Sequence, residues 1–435
     1  MLPAICCWAV LVLVFPDQAS PQTVQIDAKV LQQLQDTVLQ QKEQIRNQAA
    51  TLDALLKQIN ELQQHSAPPH APAAQAPSPE PPVAKIVPGA IPPVSFTAGE
   101  KQIKVNISGQ VNRAVTQADD SQGNEYYFVD HSTSGSRVNL TASTPMGDNL
   151  TLGSRIEVAI APDNSALVSQ SNQSPGDSFN QRWAEVSLAG KRYGKLSLGK
   201  GDTASNTTAE ADLSGTLAVQ NSSVSDIVYG MLFREREGKR ALTTIKLSTA
   251  FSNLDGLSRE SRLRYDTPSF HGFSLASSLV SKQRSDAALY WDGQGYGFKS
   301  VARAAIADPN LPQAGLRYDG SFSVLHNRSG LNFTCAAGMQ ESDLGADDTN
   351  LYGKIGWLAR LNHFGPTAFI IDSTWAENTP AAHDVGYATG LGVNQFFDEF
   401  NTELYLQYRR FSLDRFTGPA VGDLKATTLG ARFRF

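Results

Sequence analysis

The last stretch of the chain, residues 424–435, has the most regular pattern of apolar and polar positions. From Leu429 to Phe435 every second residue is apolar, and Arg432 and Arg434 lie between them. Alternation with a period of two predicts a β-strand with one apolar face and one polar face. Because the two arginines need water while the aromatic end needs burial or a membrane interface, the pattern is typical of a transmembrane barrel strand.

The same alternation recurs upstream, from about residue 96 onward. In the first such segment Val105 and Ile107 are separated by Asn106. Short turn-like segments then alternate along the chain with longer polar ones. The short ones are 145–149, 189–194, 267–272, 326–330, 363–366 and 397–400, and the longer ones include 163–179, 341–348, 377–384 and 412–423. The pattern predicts an all-β transmembrane barrel of about 16 antiparallel strands over residues 96–435, with the strands near 284–296 the least regular.

One connection, roughly residues 202–257, is too long for an ordinary loop. It carries Glu210, Asp212 and Asp226 together with a charged run at 234–240. We expect this segment to fold into the barrel and narrow its lumen, with the three acids at the constriction. A disordered or outward-facing loop is the alternative.

Three further segments precede the predicted barrel. Residues 1–20 contain an apolar run followed by polar residues, which predicts a secretory signal peptide, with a buried helix as the alternative. Residues 24–64 have apolar residues at heptad spacing, which favours an α-helical coiled coil over a single helix lying on a surface. Residues 65–95 hold 10 of the chain's 22 prolines, which predicts a semi-rigid extended linker.

Composition and charge narrow the class of protein. The net charge of −5 gives no reason to expect a nucleic-acid partner. Charged residues make up 18% of the chain, below the roughly 25% that is usual for soluble domains. After the amino-terminal segment there is no run of the about 18 apolar residues that a membrane helix needs. If the protein crosses a membrane, we therefore expect it to do so as a barrel.

Basic residues dominate the face that the alternation places inside the barrel. The residues that we predict to line the pore are Lys104, Arg137, Arg155, Arg262, Arg264, Arg409, Arg432 and Arg434. A basic wall in a confined channel attracts anions and lowers the barrier to their entry. The alternative is that each arginine pairs with an inward acid and only stiffens the barrel.

Candidate catalytic chemistry is weak in this chain. Five histidines after residue 96 lie mostly near turns or loops, and their spacing suggests neither a triad nor a metal site. Cys335 falls in the same parity as Leu331 and Phe333, which predicts a small packing residue on the apolar face. We therefore expect no catalytic residue, no metal site and no cofactor.

Several segments resemble a known family. YDTPSFHGFSL (265–275), GSFSVLHNRSGLNFT (320–334), NTELYLQYRRFSLD (401–414) and the terminal GARFRF resemble the general porins of Gram-negative bacteria. The heptads and proline-rich linker before the barrel resemble the DcaP-type porins, which are associated with dicarboxylates and other small anions. The resemblance implies a 16-stranded homotrimer whose third extracellular loop folds into each pore. It also implies that the short turns and the coiled coil face the periplasm.

The sequence thus predicts a multi-pass porin of the bacterial outer membrane with a periplasmic amino-terminal extension. It would pass small hydrophilic solutes by diffusion and favour anions such as carboxylates. The expected partners are two further copies of the chain, outer-membrane lipid and these solutes, with peptidoglycan as a further candidate. The alternatives are a structural anchor that tethers the membrane through its coiled coil, and a barrel enzyme.

Overall fold

The computed structural model of the protein describes residues 103–343 and 345–435. The predicted signal peptide, coiled coil and linker lie outside these residues and stay predictions. In the described part, the strands of the first half are β1 (Lys104–Asp119), β2 (Asn124–Asp130), β3 (Arg137–Met146), β4 (Leu150–Ile160), β5 (Phe179–Gly190), β6 (Gly194–Asp202), β7 (Leu232–Arg234), β8 (Leu242–Lys246), β9 (Arg259–Asp266) and β10 (Phe273–Val280). Those of the second half are β11 (Arg284–Gly295), β12 (Phe298–Asp308), β13 (Ala314–His326), β14 (Leu331–Ser342), β15 (Asp348–Ala359), β16 (Thr367–Glu377), β17 (Val385–Phe397), β18 (Thr402–Asp414) and β19 (Leu424–Arg434).

Helical structure in the described part is limited to single turns. A one-turn α-helix, α1, spans Leu247–Ala250, and 3₁₀ turns occur at Ser132–Ser134, Thr208–Glu210, Val224–Ile227 and Asp398–Phe400. No helix among the residues that the structure describes is long and apolar enough to cross a membrane.

The strands other than β7 and β8 form a single closed antiparallel sheet. One edge of β1 pairs with β19, and its other edge pairs with β3 along its first half and with β2 along its second half. Because β2 and β3 follow each other along the same edge, they act as one interrupted wall strand, so the 17-stranded sheet is a barrel with 16 wall positions. This confirms the predicted fold class.

The carboxyl terminus completes the closure. The backbone N–H of Phe435 donates to the carbonyl of Gly109 (3.0 Å), and the N–H of Gly109 donates to the carbonyl of Phe435 (2.8 Å). Closure leaves no unpaired sheet edge, which a wall in lipid could not tolerate because its backbone groups would find no partner there.

The two faces of the wall follow the alternation in the sequence. On β19 the side chain of Leu429 is 61% exposed on the outer face, whereas the neighbouring Thr428 is fully buried inside. The interior is joined by polar contacts between strands, such as the Tyr405 hydroxyl donating to Asn112 Oδ1 (2.6 Å). Cys335 lies on the outer face with Leu331. The wall is therefore apolar outside and polar inside.

The connections divide between the two ends of the barrel as expected. All six predicted short turns lie at the end that carries the carboxyl terminus, because each joins an even-numbered wall position to the next odd one. The longer polar segments lie at the opposite end. The region near 284–296 forms the regular strand β11, which is joined to both neighbours by tight connections at 281–283 and 296–297.

Residues 203–258, which we name the inner segment, connect β6 to β9 and fold into the barrel. The N–H of Ala211 donates to Ser321 Oγ (2.9 Å) and the N–H of Leu213 donates to Ser323 Oγ (2.9 Å) on β13. Farther round the wall, Asn394 Nδ2 on β17 donates to the carbonyl of Gly215 (3.0 Å). The inner segment thus lies across the interior wall, which is the placement that the sequence favoured over an outward loop.

The second half of the inner segment packs as an apolar plug. Its buried side chains include Met231, Phe233, Leu247 and Phe251, and the ring of Phe251 lies 5.2 Å from that of Phe411 on β18. Removing apolar surface from water stabilises such packing by about 25 cal/mol per Å². Part of the lumen is therefore filled with protein, and a cavity lies beside the first half of the segment.

Candidate functional site

The cavity beside the first half of the inner segment has a volume of about 570 Å³ and lies between this segment and the barrel wall. On the wall side its charged lining consists of arginines from five strands. They are Arg137 on β3, Arg182 on β5, Arg259 on β9, Arg303 on β12, and Arg432 and Arg434 on β19. From the inner segment, Glu210, Asp212, Leu213 and Leu217 line the same cavity. We refer to this cavity as the constriction.

Two arginines of β19 share a single carboxylate. Glu403 on β18 is the register partner of Arg432. Its Oε1 accepts from Arg432 Nη2 at 2.5 Å and from Arg434 Nη2 at 3.0 Å. Because one buried negative charge faces two positive ones, this corner of the constriction keeps a net positive charge.

A second shared carboxylate lies on β4. Glu157 contacts Arg155 (2.5 Å), Arg182 (2.6 Å) and, more distantly, Arg137 (3.8 Å). Arg155 also stacks on Trp183, with its guanidinium carbon 3.9 Å from the ring centre, which adds a cation–π interaction. With the β19 pair, five guanidinium groups face two carboxylates, so the wall is cationic.

Sequence reasoning missed Arg182 because of a β-bulge. Trp183 pairs with Glu157 and Gln181 pairs with Val158, so Arg182 has no partner in the ladder. An extra residue of this kind shifts the alternation of its strand. Strict alternation would place Arg182 on the outer face, and no signal in the sequence marks the bulge. Arg259 and Arg303 were also not singled out.

Two of the predicted pore-lining residues face the interior without reaching the constriction. Arg262 forms a 2.5 Å ion pair with Glu185, and its side chain is 1% exposed. Arg409 forms a 2.7 Å ion pair with Asp372, and its side chain is 2% exposed. Gln220 of the inner segment donates to the same carboxylate (2.6 Å). The inner segment thus covers a part of the wall that alternation alone leaves open to solvent.

The remaining predicted residues have different surroundings. Arg264 pairs with Asp266 (2.6 Å) and donates to the carbonyl of Thr203 (2.7 Å), so it holds the start of the inner segment. Lys104 is exposed near the end of the barrel that carries the carboxyl terminus. Of the eight predicted pore-lining residues, Arg137, Arg432 and Arg434 line the constriction.

The acids of the inner segment contribute less negative charge than their number suggests. Asp212 contacts the ammonium group of Lys354, and both side chains are buried. Burial, with a further contribution from the nearby Asp255, raises the pKa of Glu210 to about 8. Asp226 lies away from the constriction. Ser223 Oγ donates to its carboxylate (3.0 Å), and burial raises the pKa of Asp226 to about 6.

A closed 16-position barrel with an apolar exterior, a polar interior and an inward segment that narrows it defines a β-barrel channel of the outer membrane. The chain belongs to the Gram-negative porin family, whose sequence model matches residues 71–435. The protein is accordingly a multi-pass outer-membrane channel for small solutes. No curated protein matches the chain.

Solved structures show the same fold at low sequence identity. The anion-selective porin from Comamonas acidovorans is 15% identical, with a TM-score of 0.53 over 77% of this chain and 100% of that one. The outer membrane channel DcaP of Acinetobacter baumannii is 13% identical, with a TM-score of 0.50 over 78% and 99%. The outer-membrane expressed OmpT of Vibrio cholerae is 12% identical, with a TM-score of 0.50 over 78% and 100%.

Proposed function

We propose that this porin passes small hydrophilic solutes by passive diffusion and prefers anions, carboxylates among them. The observation that carries the proposal is the charge balance of the wall at and beside the constriction, where five arginines share Glu157 and Glu403. The opposing acids add little negative charge, because Asp212 is paired with Lys354 and the raised pKa of Glu210 favours its neutral form near pH 7. The Comamonas porin, which shares the fold, is anion-selective, and this agrees with the proposed preference.

The physical basis is the confinement of these charges. At physiological salt the screening length is about 8 Å, which is comparable to the half-width of a narrow pore. A solute at the constriction is therefore within reach of several guanidinium groups at once. Each guanidinium can offer a carboxylate two parallel hydrogen bonds, which a chloride ion cannot use in the same way.

Reversal potentials in a potassium chloride gradient test the proposal. We expect the wild-type channel to prefer chloride, and the double variant Arg182→Gln/Arg434→Gln to lose roughly half or more of that preference. Each substitution leaves its carboxylate with at least one arginine, so the barrel keeps its ion pairs. Arg410→Gln is the matched control, because Arg410 lies on the outer face and pairs with Asp423 (2.5 Å). A wild-type channel that prefers potassium would contradict the proposal.

We also propose that the channel is a homotrimer surrounded by outer-membrane lipid, with its amino-terminal extension in the periplasm. The heptads over 24–64 and the family support this assembly. One solved OmpT structure of Vibrio cholerae is described as a trimer form. Native mass measurement that finds only single chains would contradict it. Deleting 24–95 separates a porin from a tether towards peptidoglycan, because a porin keeps its conductance after this deletion whereas a tether loses its phenotype.

We further propose that the protein is not an enzyme. Its histidine spacing supports no triad, and within residues 103–343 and 345–435 no group of three His, Cys, Asp or Glu side chains is arranged to hold a metal ion. Assays of the purified protein for lipase and protease activity test this statement. Turnover that co-purifies with the folded barrel would overturn it.

A further inference from the structure

The inner segment presents apolar side chains to the arginine wall. Leu217 is 46% exposed although it lies inside the barrel, and Leu213 is partly buried beside the same cavity. From the wall, Val301 on β12 adds a further apolar contact surface. The constriction therefore has a cationic side and an apolar side, which an opening that only conducts small ions does not require.

The backbone of the inner segment holds this apolar side in place. The Asp212 carboxylate contacts Lys354 on the wall, and the flanking N–H groups of Ala211 and Leu213 are bound to β13. These contacts fix the backbone at Leu213, whose side chain lines the cavity.

A tight turn places Leu217. The N–H of Gln220 donates to the carbonyl of Thr216 (2.8 Å), and the side chain of Gln220 is bound to Asp372 on the wall. Gly215 precedes the turn with a φ of +83°, a conformation that a residue with a Cβ rarely adopts. Because both ends of the turn are tied down, Leu217 cannot withdraw from the cavity by a local change of backbone.

We propose that the constriction selects amphipathic anions, which are carboxylates with a short aliphatic or aromatic hydrocarbon body. The carboxylate would bind the guanidinium groups of Arg432 and Arg434, and the hydrocarbon body would lie against Leu213 and Leu217. A ligand with both parts removes apolar surface from water on one side and keeps its charge paired on the other. The inference rests on the proposed anion channel and names the class of solute that it favours.

Bi-ionic reversal potentials test this selectivity. The potassium salts of acetate, hexanoate, benzoate and malonate are compared with potassium chloride on purified wild-type channels. For free diffusion through a polar hole, permeability falls as the anion grows, so hexanoate would pass less readily than acetate. We expect hexanoate and benzoate to pass more readily than their size predicts, and malonate to gain no such advantage.

The variant Leu213→Ser/Leu217→Ser removes the apolar side of the constriction. We expect its hexanoate-to-acetate permeability ratio to fall by roughly three- to ten-fold, because each methylene group removed from water contributes a factor of about four. Leu167→Ser is the matched control, since Leu167 is an equally exposed leucine (51%) that does not line the constriction, and its ratio should stay at the wild-type value.

A second test measures how added carboxylates block the chloride current of the wild-type channel. It does not depend on whether the variants fold. Added hexanoate should reduce this current at concentrations at which acetate and malonate do not. If chloride is preferred but hexanoate neither blocks the current nor passes better than its size predicts, the amphipathic site is wrong and the anion channel stands. If potassium is preferred instead, the proposed anion preference itself is wrong.

Discussion

The inward-facing arginines fall into two groups that differ in how their charge is balanced. Arg262 and Arg409 each pair with one carboxylate and are almost wholly buried. Arg432 and Arg434 share Glu403 and border the constriction. The first group stiffens the barrel and anchors the inner segment, while the second leaves positive charge for a solute. The ion pairing that the sequence left as an alternative is therefore present at Arg262 and Arg409, whereas the attraction of anions by the shared-carboxylate arginines is our proposal.

The largest expected effect is a loss of stability when an ion pair of the first group, that of Arg409 with Asp372, is broken. In Arg409→Ala the buried carboxylate of Asp372 loses its cation and keeps only hydrogen bonds from Gln220 (2.6 Å) and Tyr352 (3.1 Å). Leaving a buried charge unpaired costs about 3–5 kcal/mol. We expect a clearly lower temperature at which the folded, heat-modifiable band disappears on a gel.

Arg434→Ala is the control for that experiment. Glu403 keeps Arg432 at 2.5 Å, so we expect a loss of less than about 1 kcal/mol, which is usual for a partly exposed ion pair. If both variants lose the same stability, the division of the arginines into two groups is wrong.

A smaller effect is expected for the pH dependence of anion preference, through Glu210, the acid that faces the second group of arginines. Below its raised pKa of about 8, Glu210 is mostly neutral, and it becomes charged as the pH rises through that value. The charged groups that act on it are Asp255, Asp226 and Arg259. A new negative charge opposite the arginines disfavours anions, so we expect anion preference to fall about two-fold between pH 7 and 9.

The variant Glu210→Gln sharpens this prediction. Its reversal potential in a potassium chloride gradient should stay nearly constant over the same pH range, because the glutamine does not titrate. An unchanged pH dependence in the variant would show that another group is responsible.

The smallest effect on selectivity is expected for a substitution of Lys104, a predicted pore-lining lysine that belongs to neither group of arginines. This side chain is exposed near the end of the barrel and is surrounded by solvent. Charges exposed to salt solution are screened within about 8 Å, so Lys104→Gln should change the selectivity by less than about one-fifth. A change as large as that of the Arg182→Gln/Arg434→Gln variant would mean that the entrance, and not the constriction, governs selectivity.

Most of the barrel could be predicted from the sequence for a local reason. A strand between lipid and water must alternate, so the pattern around Leu429 and Thr428 is sufficient to define the faces of β19. The short turns could be located because they interrupt that alternation. The length of residues 203–258 also indicated an inward fold, since no ordinary hairpin connection needs so many residues.

The tertiary structure decided which charges meet, because these contacts join residues far apart in the chain. The β-bulge at Arg182 turns that side chain inward, against the alternation of its strand. Gln220 binds Asp372, the partner of Arg409, so the Arg409 side chain is buried and cannot contact a solute. The sequence placed three acids of the inner segment, Glu210, Asp212 and Asp226, at the constriction. The pairing of Asp212 with Lys354 instead leaves Leu213 and Leu217 facing the arginines, since burial and ion pairing depend on partners that no local pattern specifies.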